Sequence, residues 1–243
     1  MYEPKDRGIQ GKDAAMGEMI TLSSKSDGFE FDAYHAAPGD ARRGGLIVVQ
    51  EIFGVTAGIK QIADGFAEDG YEVIAPSMFD RSERGLDVAI PEADFGKLIA
   101  YAGASFPHVP GDIQACIDAL EPPVFIVGFC YGGSVAWLAS ARCEGLAAAS
   151  GFYGGNIATQ LIDEQPKVPV ILHFGKKDQH IPAEHWAKIE AAHPDVPLYL
   201  YDADHGFFSP DRPPTVHDPD SARLARLRTL QLFHQNSGLK AEA

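Results

Sequence analysis

The spacing of apolar positions changes several times along the chain, and each change marks an element. EMITLSS (18–24) and FEFDAYHAAP (29–38) alternate apolar and polar residues around SDG, which predicts an N-terminal β-hairpin. GLIVVQ (45–50) is an unbroken apolar run, as expected of a strand covered on both faces. In 59–70, Ile59, Ile62, Ala63 and Phe66 recur at helical spacing before Gly70, a C-cap signal. YEVIAPS (71–77) reads as a strand. The segment 79–110 is irregular and rich in charge, Gly and Pro, so loops with one helix near 92–103 are expected, and an amphipathic helix over 111–120. A regular alternation follows: strand 124–127 and helix 132–142, strand 146–152 and a loop with a short helix, strand 169–174 and helix 183–192, strand 197–201 and a helix near 219–235.

This alternation predicts an α/β fold, with a mostly parallel sheet of about seven or eight strands and helices on both faces. No solenoid-length repeat, low-complexity tract or dividing linker appears. The expectation is one domain over 18–238 behind a loosely ordered arm at 1–17.

Composition narrows the partners. The formal net charge is −14, from 34 acidic and 20 basic residues, and such a balance repels nucleic acid and anionic lipid. No apolar run approaches the roughly 18–20 residues that span a bilayer, and the first residues lack a basic segment followed by an apolar one. Cys116, Cys130 and Cys143 have no metal-ligand spacing and no HExxH motif occurs. A cytoplasmic protein without metal or cofactor is expected, as a monomer or small homo-oligomer.

The chemistry concentrates in IVGFCYGGSVAWLAS (126–140). A strand, then Gly-x-nucleophile-x-Gly, then a helix is the nucleophile elbow of α/β-hydrolases. Gly128, Gly132 and Gly133 leave room for a strained turn, and Cys130 stands at its point. The Tyr131 N–H is then available to a developing oxyanion. Cys116 and Cys143 lack this setting and read as structural. A base must follow downstream, and His205 in YLYDADHGFF lies in the loop after the last strand. The acid between them is Asp178 in ILHFGKKDQHIP, on chain order and its place after a parallel strand. Asp202 and Asp204 are nearer in sequence but share the histidine's own loop.

With these residues in place, and with QEIFGV at Gln50–Val55, the sequence resembles the dienelactone hydrolase (carboxymethylenebutenolidase) family of the α/β-hydrolase fold. The resemblance runs from the first hairpin to RTLQLF (228–233). It implies a Cys130–His205–Asp178 triad, with Glu51 as an extra carboxylate at the resting thiol and Ile52 as the second oxyanion N–H. It also implies that Arg81 binds a substrate carboxylate, that Phe53 and Phe207 contact substrate, and that the substrate is a small ester or lactone. One departure stands out. The family's best-known members follow the histidine with Ser-Phe-Ala-Arg, and that arginine also grips the carboxylate. Here the string is Gly206-Phe207-Phe208-Ser209, and the next arginine, Arg212, is the candidate to contact substrate in its place, with a surface position as the alternative. The expected reaction is ester hydrolysis through an acyl-cysteine. A broad carboxylesterase or thioesterase, a non-catalytic binding protein and a redox-sensing thiol are the alternatives.

Overall fold

Turn-forming residues bracket every apolar run, so each run closes as a separate strand of one sheet. The structure, a computed structural model, describes residues 17–39 and 41–238. Strands run over Glu18–Ser23 (β1), Glu30–Ala36 (β2), Gly44–Val49 (β3), Tyr71–Pro76 (β4), Val124–Phe129 (β5), Leu146–Phe152 (β6), Val170–Gly175 (β7) and Leu198–Tyr201 (β8). Their order is β1-β2-β4-β3-β5-β6-β7-β8. β2 pairs antiparallel with β1 and β4, and all other neighbours are parallel. Every residue of β3, β5 and β7 is buried, whereas β1 at the edge is largely exposed. The central runs are therefore mostly apolar, with His173 in β7 the polar exception among these three strands, and alternation is confined to the N-terminal strands. This is the mostly parallel α/β-hydrolase sheet, with an antiparallel N-terminal pair and helices on both faces. Apart from Gly17, the arm expected at 1–17 lies outside the described residues.

The helices are Ala57–Glu68 (α1), Phe95–Ser105 (α2), Val109–Asp118 (α3), Tyr131–Arg142 (α4), Asn156–Thr159 (α5), Ala183–Ala192 (α6) and Pro219–Gln235 (α7). Side-chain caps set several starts. Thr56 accepts from the Ile59 amide at 3.3 Å, Asp94 from Lys97 at 3.2 Å and Asp218 from Ser221 at 2.8 Å. The Asp94 cap moves α2 a few residues past the expected 92–103. α3 begins before Gly111 because Pro110 fits a first helical turn, where no N–H is required. Strand β5 outruns its expected end at Val127 because Gly128 stays in register with Val49 and Gly151.

β3, β5, β6, β7 and β8 are parallel neighbours, so their C-terminal ends open on one edge of the sheet. The packing there is set by glycines. A Cβ on Gly128 would stand 1.9 Å from the Gly132 carbonyl oxygen, and one on Gly132 would stand 2.4 Å from that of Val49. In contrast, a Cβ on Gly103, inside α2, would meet nothing within 4 Å. Gly128→Ala is therefore expected to destabilise the protein by about 3 kcal/mol or more. Gly103→Ala should stabilise it by about 0.5–1 kcal/mol through helix propensity. Urea unfolding of both variants checks this; a Gly128→Ala midpoint equal to wild type would contradict the packing described.

Candidate active site

The elbow forms because the chain must leave β5 and enter α4 within one residue. Cys130 makes that turn with φ 56° and ψ −112°, a backbone region that side chains normally avoid. The turn is tied to both neighbouring strands. Cys130 N–H donates to the Phe152 carbonyl at 3.0 Å, and Gly132 N–H donates to the Gln50 carbonyl at 3.1 Å. A Cβ on Gly133 would stand 2.3 Å from the same Phe152 oxygen. The Cys130 thiol is only half-buried, at the N-terminal end of α4. Cys116 and Cys143 are buried, and desolvation pushes the Cys143 thiol up to about 11 and that of Cys116 higher still.

The loop after β7 carries Asp178, and the loop after β8 carries His205. Asp178 Oδ2 lies 2.6 Å from His205 Nδ1. Its other oxygen accepts from the His180 and Ile181 amides at 2.8 and 3.2 Å, so the carboxylate is fixed from its own loop. Burial works to raise the Asp178 pKa, but the His205 hydrogen bond and charge and the His180 amide bring it below the ordinary carboxylate value. The nearer acids do not compete. Asp202 pairs with exposed Lys177, and Asp204 accepts from the His205 amide at 2.7 Å. Burial disfavours the His205 imidazolium, yet charge and hydrogen bonding from Cys130 and Asp178 outweigh it and push the value up to about 10.

A sequence model of the dienelactone hydrolase family matches residues 31–237. The chain belongs to that family. A protein of Azospirillum brasilense that carries the name carboxymethylenebutenolidase is 31% identical over 234 residues, spanning 90% of this chain and 99% of the relative. The carboxymethylenebutenolidase of a Pseudomonas species is 27% identical over 241 residues, spanning 89% of this chain and 94% of its own. A solved structure from Klebsiella pneumoniae, described as a dienelactone hydrolase, superposes with a TM-score of 0.62 at 28% identity, over 90% of this chain and 99% of that one. The fold is shared more widely. A dienelactone hydrolase-like promiscuous phosphotriesterase from metagenomic libraries reaches a TM-score of 0.75 at 20% identity, over 91% and 99% of the two chains. The chain is thus a hydrolase of the carboxymethylenebutenolidase type.

In this dienelactone hydrolase family member, Cys130 and His205 border a cleft of about 580 Å³ together with Ile52, Phe53, Tyr131, Tyr153, His180 and Arg212. One wall is apolar, built by Phe53, Phe106 and the α2 residues Phe95 and Ile99, both of them solvent-exposed. The Tyr131 ring is buried and its hydroxyl meets Ser105 Oγ at 2.7 Å, which ties the start of α4 to the end of α2. As at any helix start, the Tyr131 N–H has no intrahelical acceptor. A second cavity of about 490 Å³, between residues 165–171 and 192–197, borders no cysteine and none of the predicted site residues.

Of the two arginines expected to contact substrate, only Arg212 borders the cleft. Arg212 reaches the cleft because the chain turns back after His205. Its amide donates to the Ser209 carbonyl at 3.2 Å, and its side chain crosses Gly206, where a Cβ would stand 2.6 Å from Nε. Asp211 holds this segment by accepting from Thr56 Oγ1 at 2.6 Å and the Gly58 amide at 3.1 Å. Arg212 lies over the Phe53 ring at 5.1 Å and donates to buried Glu51 at 3.2 Å. Burial opposes its charge, but Glu51 more than compensates and raises its pKa. Arg81 does not border the cleft. It bonds Asp27 at 2.8 Å and buried Asp112 at 3.1 Å, and covers the Phe29 ring at 4.3 Å. Phe207 also stays out of the cleft, fully buried behind His205 against Phe152, Tyr153 and Tyr201.

Sequence reasoning missed Tyr153, His180, Phe95 and Ile99. The first had a signal, GFYGG (151–155) at a strand end; the α2 pair lay in a segment whose helix could be seen but not its neighbours. Among the described residues no group of His, Cys, Asp or Glu could hold a metal ion, and no helix is long and apolar enough to cross a membrane.

His205 has a pH signature. Its folded value, about 10, lies above its ordinary 6.5. Its contribution to stability is therefore complete below about 6.5 and is lost as pH rises through about 10. NMR titration should find the imidazolium charged through pH 8 in wild type, and a lower titration in Cys130→Ala, which lacks the sulfur's charge and hydrogen bond. An unchanged titration in the variant would contradict the coupling.

Proposed function

We propose that the chain hydrolyses a small carboxylic ester, an enol-lactone by preference, through Cys130, His205 and Asp178 and an acyl-cysteine intermediate. The observation that carries this reading is the 2.6 Å Asp178–His205 hydrogen bond beside the cysteine of the elbow, in a cleft. His205 holds the proton that the Cys130 thiol gives up, and the sulfur attacks the carbonyl carbon. The tetrahedral oxyanion is held by the backbone N–H groups of Tyr131 and Ile52. Its collapse forms the thioester and breaks the C–O bond. The leaving oxygen departs with enolate character and takes up the proton held by His205, which leaves the imidazole neutral. A water molecule then gives a proton to His205 and attacks the thioester, the C–S bond breaks, and the sulfur recovers its proton as the acid leaves. Asp178 fixes the imidazole orientation and stabilises its charged form throughout.

Substrate selection divides along the cleft. The apolar wall suits a hydrocarbon or ring portion, which also fits a broader carboxylesterase. Arg212 suits an anionic group that competes with Glu51 for the guanidinium. In a chain of net charge −14, such a cation is required to draw in a carboxylate. Arg81, whose two terminal nitrogens are held by Asp27 and Asp112, is assigned a structural role instead.

Cys130→Ala is expected to abolish turnover in a folded protein. Replacing the Arg212–Glu51 pair by two glutamines, which avoids stranding a buried charge, should cut the kcat/KM preference for carboxylate-bearing over neutral esters about ten- to 150-fold. Arg81→Ala should lower stability, since Asp112 loses its partner, and leave that preference intact. Steady-state kinetics on matched ester pairs checks the set. Residual turnover in Cys130→Ala, or a preference that follows Arg81, would overturn the assignment.

A further inference from the structure

One hydroxyl in the cleft is unused by the triad. Tyr153 stands one residue past β6, on the strand beside the elbow. Its side chain is fully buried and borders the cleft, yet no protein group bonds its hydroxyl. A buried O–H without a partner is costly, and native proteins retain few.

The backbone at Tyr153 is also strained. Among the described residues, only Cys130 (φ 56°) and Tyr153 (φ 39°) are non-glycine residues with positive φ. They lie at the C-terminal ends of adjacent parallel strands, and strain of this kind persists only where surrounding structure imposes it. Here it is imposed by the elbow. Tyr153 N–H donates to the His173 carbonyl at 2.8 Å, and the next residue, Gly154, packs so closely on Gly133 that a Cβ would stand 2.8 Å from its carbonyl carbon. The ring is fixed against His205 and Phe207, with centroids 4.9 and 5.6 Å away.

The surroundings say what would satisfy the hydroxyl. Burial, and then the charge of Glu51, hold the phenol far above its ordinary value, so it stays a donor. The charges that act on it next are those of Arg212, Cys130 and Asp178. Arg212 Nε is likewise buried and unpartnered, while its Nη2 is on Glu51. Two unpaired donors flanking the nucleophile call for an acceptor with more than one oxygen, and a carboxylate has that chemistry.

We propose that Tyr153 Oη is a second donor to the substrate carboxylate, a neutral and geometrically fixed hydroxyl beside the charge of Arg212. This rests on the ester-hydrolase reading of the same cleft. The phenol makes the site selective for an acceptor at that point, since an ester lacking the carboxylate leaves the hydroxyl as it is in the free enzyme.

The test is Tyr153→Phe, which keeps the ring contacts and removes only the unpaired oxygen, so the thermal midpoint should not fall. kcat and KM are measured for a monoaryl ester of a dicarboxylic acid and for a neutral aryl ester of equal length. The ratio of kcat/KM, acidic over neutral, should fall about ten-fold, mainly through KM. An unchanged ratio, an equal loss on both esters, or a loss confined to kcat overturns the proposal. If wild type hydrolyses neither ester, the functional reading fails with it. If the Arg212–Glu51 double variant loses the preference and Tyr153→Phe keeps it, the Tyr153 assignment alone fails.

Discussion

The site depends on how closely α4 approaches the sheet. Gly128, Gly132 and Gly133 pack against backbone from β3, β6 and the elbow itself, at distances no Cβ could tolerate. That approach forces the left-handed turn at Cys130 and lifts the thiol out of a region where every neighbouring strand residue is buried. It also brings the Gln50 and Phe152 carbonyls within hydrogen-bond reach of the turn. The same constraint extends one strand further, because Gly154 rests on Gly133 and Tyr153 takes the second strained conformation. The exposure of the Cys130 thiol and the helix N-terminus behind it are consequences of one packing arrangement. Preorganisation of this kind lets donors face a developing charge without reorganisation when it forms.

Charge within the cleft is arranged in pairs. Asp178 and His205 form one, and Glu51 and Arg212 the other, each with a partner buried from solvent. A buried pair is weak evidence for stability, because desolvation offsets much of the attraction. Its value here lies in specificity. The Asp178–His205 bond fixes which ring nitrogen is free for chemistry. The Glu51–Arg212 pair keeps a cation in the cleft beside Cys130 in a strongly acidic protein, where an unpaired arginine or glutamate would each be costly to bury. The pair is the one that an anionic ligand would have to open.

Much of this was legible in the sequence for a physical reason: the elbow, QEIFGV and the two loop residues are local patterns whose chemistry follows from residue type and place after a strand. The element order emerged equally well, because α1 and α3 present helical periodicity and β3 and β5 are unbroken apolar runs. Long-range geometry was not legible. Arg81 matched a family position, but its fate was decided by Asp27 in the hairpin turn and Asp112 in α3, neither visible as a neighbour in one dimension. Arg212 looked displaced by three residues, yet a turn at Ser209, the gap at Gly206 and the docking of Asp211 on α1 carry it back into the cleft. Phe207 adjoins the base in sequence and points into the core. Tyr153 had only a glycine-flanked strand end to mark it, and its unpaired hydroxyl is a property of packing alone.

Ester hydrolysis through the Cys130 sulfur, as proposed, passes through a covalent acyl-enzyme that can be trapped. Acid quenching during turnover of a slowly hydrolysed aryl ester, followed by proteolysis and mass spectrometry, tests it directly. One acyl group is expected on the peptide containing Cys130, formed with a burst of released phenol and absent from Cys130→Ala treated identically. Steady-state hydrolysis with no acylated peptide at any quench time, or an acyl group on another residue, would contradict it.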